Sequence, residues 1–428
     1  MRIPNSIYMV GIGGIGISAL ARILRAQGKR VSGSDLVHSE LTDDLENEGI
    51  KVLIGAKKEN LPRDTDLLIY SVAVPHDNPE RAWARELNIP ELSYPQALGE
   101  LAKNYKVIAV AGTNGKTTTT AMIGQILESA GLDPTVIVGS TVLTWHSNAR
   151  VGKGKYLVLE ADEYRRAFLN YSPDIAVIAN IAADHLDYFR DLEDITSAFV
   201  EFTNKIKHGG TLIYNLEDPT TAQVASRFLG NKLGFEIKDY RLKIPGRFNQ
   251  ANASAAAIAC RVLGISEEIV KTALKNFSGT WRRFEKVGKV GKTEIISDYA
   301  HHPAGVRVTL ETAAQVYAGK KILAVFQPHQ RNRTKNLSGD FVKAFCESPL
   351  SDFIITEIFD VIGREEAEDQ NVSSNELVHE ISKCDKNIAY ARNLSDCEKM
   401  IREKLSNYDV VLIMGAGDIY KVANRLKK

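Results

Sequence analysis

Val107-Ile-Ala-Val-Ala-Gly-Thr-Asn-Gly-Lys-Thr-Thr-Thr-Thr120 decides how this chain is read. An apolar β-type run breaks at Gly112 and Gly115 and then delivers Lys116 and Thr117 to the start of a helix. Glycines there let backbone N–H groups close on phosphate oxygens, and the helix N-terminus adds a positive dipole. A lysine at this position reaches terminal phosphates, and a threonine hydroxyl can hold Mg²⁺. A strict Walker A pattern would need a glycine where Val110 stands, so the loop is a shortened relative of it. The plain alternative is a tight strand-to-helix turn followed by a threonine-rich first helical turn.

Outward from this loop, short apolar runs alternate with helical stretches, the pattern of parallel sheets covered by helices. An α/β chain in three blocks is expected, with boundaries at 1–104, 105–279 and 280–428. The first block carries strands at Ile7–Val10, Arg30–Ser34 and Asp66–Tyr70 and a helix near Pro95–Lys103. The second holds the phosphate loop, strands at Tyr156–Glu160, Ile175–Asn180 and Thr211–Tyr214, and an alanine-rich helix from about Asn249 to Leu263. Phe277-Ser-Gly-Thr280 reads as a hinge. The third block has strands near Ile295, at Ile322–Phe326, at Phe353–Thr356 and at Val410–Met414.

A second glycine loop, Gly11-Ile-Gly-Gly-Ile-Gly16, follows the first strand, and Asp35 ends the next one. Alone it is a dinucleotide fingerprint with its ribose-binding acid. Its physics asks only for a diphosphate close to backbone at a helix N-terminus, so NAD and a UDP-sugar both fit, and a structural βα turn is the bland reading.

Two further strands end in chemistry-bearing residues: Glu160-Ala-Asp-Glu-Tyr164 and Asn180-Ile-Ala-Ala-Asp-His-Leu-Asp187. In a parallel sheet such ends gather on the edge where the phosphate loop lies. Glu160, with Glu163 as a weaker option, and His185 are therefore candidates for completing a Mg²⁺ shell. In the third block, Trp281-Arg-Arg-Phe-Glu285 offers two guanidiniums beside aromatic rings, suited to phosphate or adenine. Asp298 is expected to take an adenosine hydroxyl or a water. His301, His302 and His329 lack the helical HxxxH spacing of a zinc site.

Composition narrows the function classes. The net charge of +1 points to neither nucleic acid nor a membrane surface. No apolar run is long enough to span a bilayer, and the first residues lack a signal-peptide pattern, so a cytoplasmic protein is expected. Cys260, Cys346, Cys384 and Cys397 show no metal spacing and read as buried or free thiols.

Taken together, these motifs resemble the Mur ligases over essentially the whole chain, and most closely the branch that joins L-alanine to UDP-N-acetylmuramate. The resemblance rests on Gly11 to Ser18, Val31 to Asp35, Ser71 to Glu80, Gly112 to Thr120, Glu160 to Leu169, Asn180 to Asp187, Pro245 to Asn252, Arg282 to Glu285, Asp298 to Pro303 and Gly415 to Ile419. It implies a Rossmann-like N-terminal domain for the UDP-sugar, a central P-loop-type ATPase domain, and a Rossmann-like C-terminal domain for the incoming amino acid. It also implies an acyl-phosphate intermediate made with ATP and Mg²⁺.

By this resemblance, Gly11, Gly13, Gly14, Ile15, Gly16, Ser18 and Asp35 bind the UDP-sugar. ATP falls to Gly112, Thr113, Asn114, Gly115, Lys116, Thr117 and Thr118, with Asn249, Asn252, Arg283 and Asp298. Thr117, Glu160 and His185 hold metal, and Lys116, Glu160 and His185 are catalytic. His301, His329 and Arg333 position the amino acid. Three positions depart from common family patterns. Asn114 stands where alanine-adding ligases often carry histidine. Ala198 to Phe202 has none of the lysine that later ligases modify, which favours the alanine-adding branch. Gln330 stands where arginine often sits. A ligase that adds a whole peptide to the same sugar nucleotide remains the close alternative.

Overall fold

The computed structural model describes residues 3–185, 188–360, 369 and 371–427. Three sheets account for its strands, one per expected block. The first contains β1 (Ser6–Val10), β2 (Arg30–Asp35), β3 (Lys51–Ile54), β4 (Leu67–Tyr70) and β5 (Glu91–Ser93), in the order β3-β2-β1-β4-β5. The second contains β6 (Lys106–Ala111), β7 (Thr135–Val142), β8 (Ser147–Arg150), β9 (Tyr156–Glu160), β10 (Ile175–Ile178), β11 (Thr211–Asn215) and β12 (Asn231–Phe235), in the order β12-β11-β10-β6-β9-β7-β8. The third contains β13 (Glu285–Val290), β14 (Thr293–Asp298), β15 (Ile322–Phe326), β16 (Asp352–Thr356), β17 (Asn387–Ala391) and β18 (Val410–Met414), in the order β13-β14-β18-β15-β16-β17. Among the described residues every pairing is parallel except β7 with β8 and β13 with β14.

The strand sequences explain this arrangement. β18 is the fully buried run Val-Val-Leu-Ile-Met. Its Val410, Leu412 and Met414 pack into one core with Phe326, Phe341, Phe345 and Phe353, while Val411 and Ile413 pack into another with Ile295, Val325 and Ile401. A sheet apolar on both faces must be covered on both, which is what parallel crossovers with helices provide.

The chain divides into two compact units: Met1–Lys243 with Phe248–Thr280, and Ile244–Arg247 with Trp281–Lys428. In the first unit, one continuous core joins residues of the first and second sheets, from Ile7 and Leu20 to Leu159 and Phe199. The helix Ile15–Ala26 reaches across to β8, where Asn148 Nδ2 donates to Ser18 Oγ at 2.9 Å and to the Ile15 carbonyl. The stretch read as a hinge is tied to the same unit: Leu143 N donates to Gly279 O at 3.2 Å, and Val142 bridges Thr280.

One expectation is overturned. Cys346 and Cys384 are joined in a disulfide, while Cys260 and Cys397 are free and buried. The partners are separated by 38 residues, so spacing alone could not pair them. They meet because Cys346 ends the helix Ser338–Cys346 and Cys384 follows the helix Ser374–Ile381, two helices that share the core around Phe341, Phe345, Leu377 and Ile381. Among the described residues no helix is long and apolar enough to cross a membrane.

Candidate active site

In the first unit, three strand ends place functional segments on one sheet edge. β6 runs into Gly112, and Gly115 caps the helix Lys116–Ser129 with φ +84°. β9 ends in Glu160, and β10 leads to Asn180. Gly112 adopts φ +135°, and a Cβ there would stand 2.9 Å from the Asn180 carbonyl oxygen. At Gly115 a Cβ would stand 2.2 Å from Asn252 Oδ1. Both glycines are thus required by backbone angle and by close approach.

The loop is braced from β10. Thr113 N donates to Asn180 O at 3.0 Å, and Thr113 Oγ1 and Ala182 N are joined at 2.9 Å. Asn249 and Asn252, both buried, sit behind the loop: Asn252 Nδ2 donates to Asn249 Oδ1, and Thr119 Oγ1 donates to Asn252 Oδ1, each at 3.3 Å. Thr118 is buried in the same helix. Asn180 and Gly139 are therefore part of the site, although only their motif, or nothing, marked them in the sequence. Gly139 N donates to Glu160 Oε1, and a Cβ at Gly139 would come within 2.8 Å of Glu160 Oε2.

Thr117 and Glu160 meet, with Thr117 Oγ1 donating to Glu160 Oε2 at 3.3 Å. Lys116 Nζ donates to Gly112 O at 2.6 Å and to both oxygens of Glu163, at 3.2 and 2.9 Å. Burial works against the Lys116 charge, but Glu163, Asp162 and Glu160 more than offset it and raise its pKa. His185 lies with Asp162 and Glu163, their ligand atoms all within 4.8 Å of one another. Asp162 was missed in the sequence, hidden in the same motif. His185 adopts φ +54° and packs on Tyr164 with ring centroids 4.7 Å apart. Asp187, the last residue of that motif, lies outside the described residues. Carboxylates, a threonine hydroxyl and one imidazole make a donor set that fits a hard divalent cation.

The first glycine loop faces the same neighbourhood. Gly11 N and Ile12 N donate to Ser34 O at 2.8 and 3.0 Å. Gly13 N donates to Asp35 Oδ2 at 2.9 Å, so the acid of the fingerprint holds its own loop. Ser18 is fully buried, with its hydroxyl donating to Ile15 O at 3.1 Å and accepting from Asn148, which makes it a support for the loop's helix. Gly14 caps that helix, and Ile15 is exposed at its start. A Cβ at Gly16 would fall 2.7 Å from the Tyr94 ring. Tyr94 in turn feels the charges of Glu160 and Asp162, which together with burial push its pKa up. Tyr94 thus packs on the first loop's helix start and lies within electrostatic reach of these carboxylates.

The second unit carries its own cluster. Arg282, not Arg283, is the buried guanidinium: it lies over Trp281, Tyr299 and Tyr420 and donates to the carbonyls of Gly415 and Ala416. Burial lowers its pKa. Arg283 lies over Tyr299, 5.0 Å from the ring centre. Asp298 is buried and accepts from Phe284 N, Ala300 N and Thr309 Oγ1 at 2.7, 2.8 and 3.1 Å; burial raises its pKa. These bonds fix the turn that carries Arg283.

His301, His329 and Arg333 come together in this unit. The two imidazole rings are 5.8 Å apart, and Arg333 Nη1 lies 3.2 Å from His329 Nδ1. His329 also stacks on Phe359. Gln330 is buried at φ +69°, its N–H bonded to Phe359 O.

Comparisons with known proteins agree along the chain. Residues 6–106 match the Mur ligase family catalytic domain, 110–239 the Mur ligase middle domain, and 282–417 the Mur ligase glutamate ligase domain. A UDP-N-acetylmuramate–L-alanine ligase of Lachnospira eligens is 38% identical over 99% of this chain and 98% of its own length. One from Alkaliphilus metalliredigens is 38% identical over 98% of this chain and 96% of its own. Among solved structures, UDP-N-acetylmuramate–alanine ligase of Thermotoga maritima superposes with a TM-score of 0.83 at 29% identity, covering 98% of both chains. With three successive domain matches and full-length relatives above a third identity, the chain belongs to the Mur ligase family.

Proposed function

We propose that this protein is an ATP-dependent ligase that joins L-alanine to UDP-N-acetylmuramate, a step in building peptidoglycan precursors. The observation that carries this reading is the sheet edge where Lys116, the Thr117–Glu160 pair and the Asp162–Glu163–His185 group converge beside Tyr94. The full-length relatives carrying this activity give it its substrates.

In the proposed reaction the sugar's carboxylate attacks the γ-phosphorus of ATP, forming an acyl phosphate and releasing ADP. The alanine amine then attacks the acyl carbon, phosphate leaves, and an amide bond remains. Negative charge builds in both steps, so fixed positive groups are the main catalytic resource. Lys116 places its ammonium against the β- and γ-phosphates, the transferring phosphoryl group among them, and backbone N–H groups from Gly112 to Thr117 cradle the rest. Thr117, Glu160 and His185 would hold Mg²⁺, which neutralises phosphate charge when bound. The Gly11–Gly16 loop grips the UDP diphosphate at its helix start, displacing the NAD reading. In the second unit, Arg283 serves the nucleotide, with Asp298 fixing its turn, and His301, His329 and Arg333 receive the alanine carboxylate. Nucleotide-sugar chemistry of this kind belongs in the cytoplasm.

Replacing Lys116 by alanine tests the assignment. Ligation should fall on the order of 10²- to 10³-fold or more, as for loss of one key electrostatic contact, while UDP-N-acetylmuramate binding persists. Unchanged turnover would remove the phosphate loop from the mechanism.

A further inference from the structure

Glu163 has no part in the reaction as described, yet its side chain is only 2% exposed and faces the central lysine. Both of its oxygens meet Lys116 Nζ, whose other contacts are the carbonyls of Gly112, at 2.6 Å, and Thr113, at 3.4 Å. The ammonium is thus folded back onto its own loop. We propose that Glu163 is a positioning residue that holds Lys116 in this folded-back state and yields it only when a nucleotide phosphate and a divalent cation arrive together. The inference rests on the ATP reading of the loop.

The backbone at Glu163 is held from its own side. Arg166 N donates to Glu163 O at 2.8 Å, and the Arg166 guanidinium is pinned to Asp194 and Glu201 at 2.9 and 2.6 Å. The backbone that carries the carboxylate is therefore held while the lysine turns outward. If Lys116 turns to a phosphate alone, the buried Glu163 carboxylate loses the cation it faces, which is unfavourable. Asp162 and His185 stand beside it, with ligand atoms of all three within 4.8 Å of one another. A cation received by that group takes over the neutralising role that Lys116 gives up. Nucleotide and cation binding are then coupled through one carboxylate, and the coupling is reciprocal.

The test is calorimetric titration with ADP, which needs no turnover, for the wild type, Glu163→Gln and Glu163→Asp, each in Mg²⁺ and in chelator. Glu163→Gln keeps the shape and removes the charge. It should bind ADP roughly tenfold more tightly than wild type in chelator, and its gain from Mg²⁺ should shrink accordingly. Glu163→Asp keeps the charge and should restore most of the wild-type dependence on Mg²⁺. It also carries the comparison if the glutamine variant does not fold. An equal loss of ADP affinity with and without Mg²⁺ in Glu163→Gln, or no change at all, overturns the proposal. A wild type that binds no ADP under either condition instead removes the ATP reading itself, and the inference with it.

Discussion

Asn180 grips Asn114 with both ends of its side-chain amide: Asn114 N donates to Asn180 Oδ1 and Asn180 Nδ2 donates to Asn114 O, each at 2.8 Å. The tip of the phosphate loop is thereby written into β10's continuation, as an added strand would be. Both bonds are exposed, so in Asn180→Ala water can replace the lost partner, at a cost of about 0.5–1.5 kcal/mol per bond. The protein should remain folded, with the KM for ATP raised roughly tenfold in steady-state kinetics. An unaltered KM would mean the loop holds its shape without Asn180.

Gly115 presents a harder constraint. At φ +84° an alanine is strained by about 1–3 kcal/mol, and its Cβ would overlap Asn252 Oδ1 at 2.2 Å. Gly115→Ala should therefore lower the unfolding temperature and abolish measurable nucleotide binding. Adding Asn252→Ala removes the overlap but not the backbone strain, so thermal stability should recover in part while turnover does not. Full recovery of both would show that the left-handed backbone is dispensable.

Arg333 and His329 form the proposed carboxylate anchor. A guanidinium only donates, so its bond to His329 Nδ1 fixes that imidazole with its proton on Nε2. Arg333→Ala should raise the KM for L-alanine roughly tenfold or more and leave the KM for ATP near wild type. Arg333→Lys should not rescue it, because an ammonium lacks the planar fork. Equal effects on both substrates would move Arg333 out of the amino-acid site.

Glu294 links stability to pH in the second unit. Burial would push its carboxyl up, but Tyr317, Lys286 and Lys289 together hold it at about 2, below its ordinary 4.5. Since the folded value lies below the unfolded one, the stabilisation is fully present above pH 4.5 and is lost as pH falls through about 2. Both lysines are largely exposed, so solvent screening trims the effect. Glu294→Gln should cost about 1–2 kcal/mol at pH 7 in urea unfolding, with the gap to wild type closing towards pH 2. A gap that does not change with pH would assign the loss to Tyr317 packing alone.

Much of this was legible in the sequence because backbone geometry and residue type coincide there. Gly112, Gly115, Lys116 and Thr117 lie within one turn of chain, and strand-end motifs announce Glu160 and His185. β18 and β6 were readable as unbroken apolar runs. What escaped was non-local or weakly patterned. β3 opens on a lysine and β8 carries polar or charged residues at both ends, and β13, Glu-Lys-Val-Gly-Lys-Val, is half exposed as an antiparallel edge. Gly139 matters only because β7 passes beside β9, and Cys346 meets Cys384 only through helix packing. Asp35 and Asp298 also hold their own loops, accepting from Gly13 and from Phe284, Ala300 and Thr309. Hydrogen-bond commitments of that kind do not show in spacing.

The central claim is tested most directly by incubating the protein with ATP, Mg²⁺ and UDP-N-acetylmuramate, with either L-alanine or a tripeptide, and identifying the products by mass spectrometry. The account predicts UDP-N-acetylmuramoyl-L-alanine with matching release of ADP and phosphate. Product from the tripeptide alone would contradict it and assign the protein to peptide recycling.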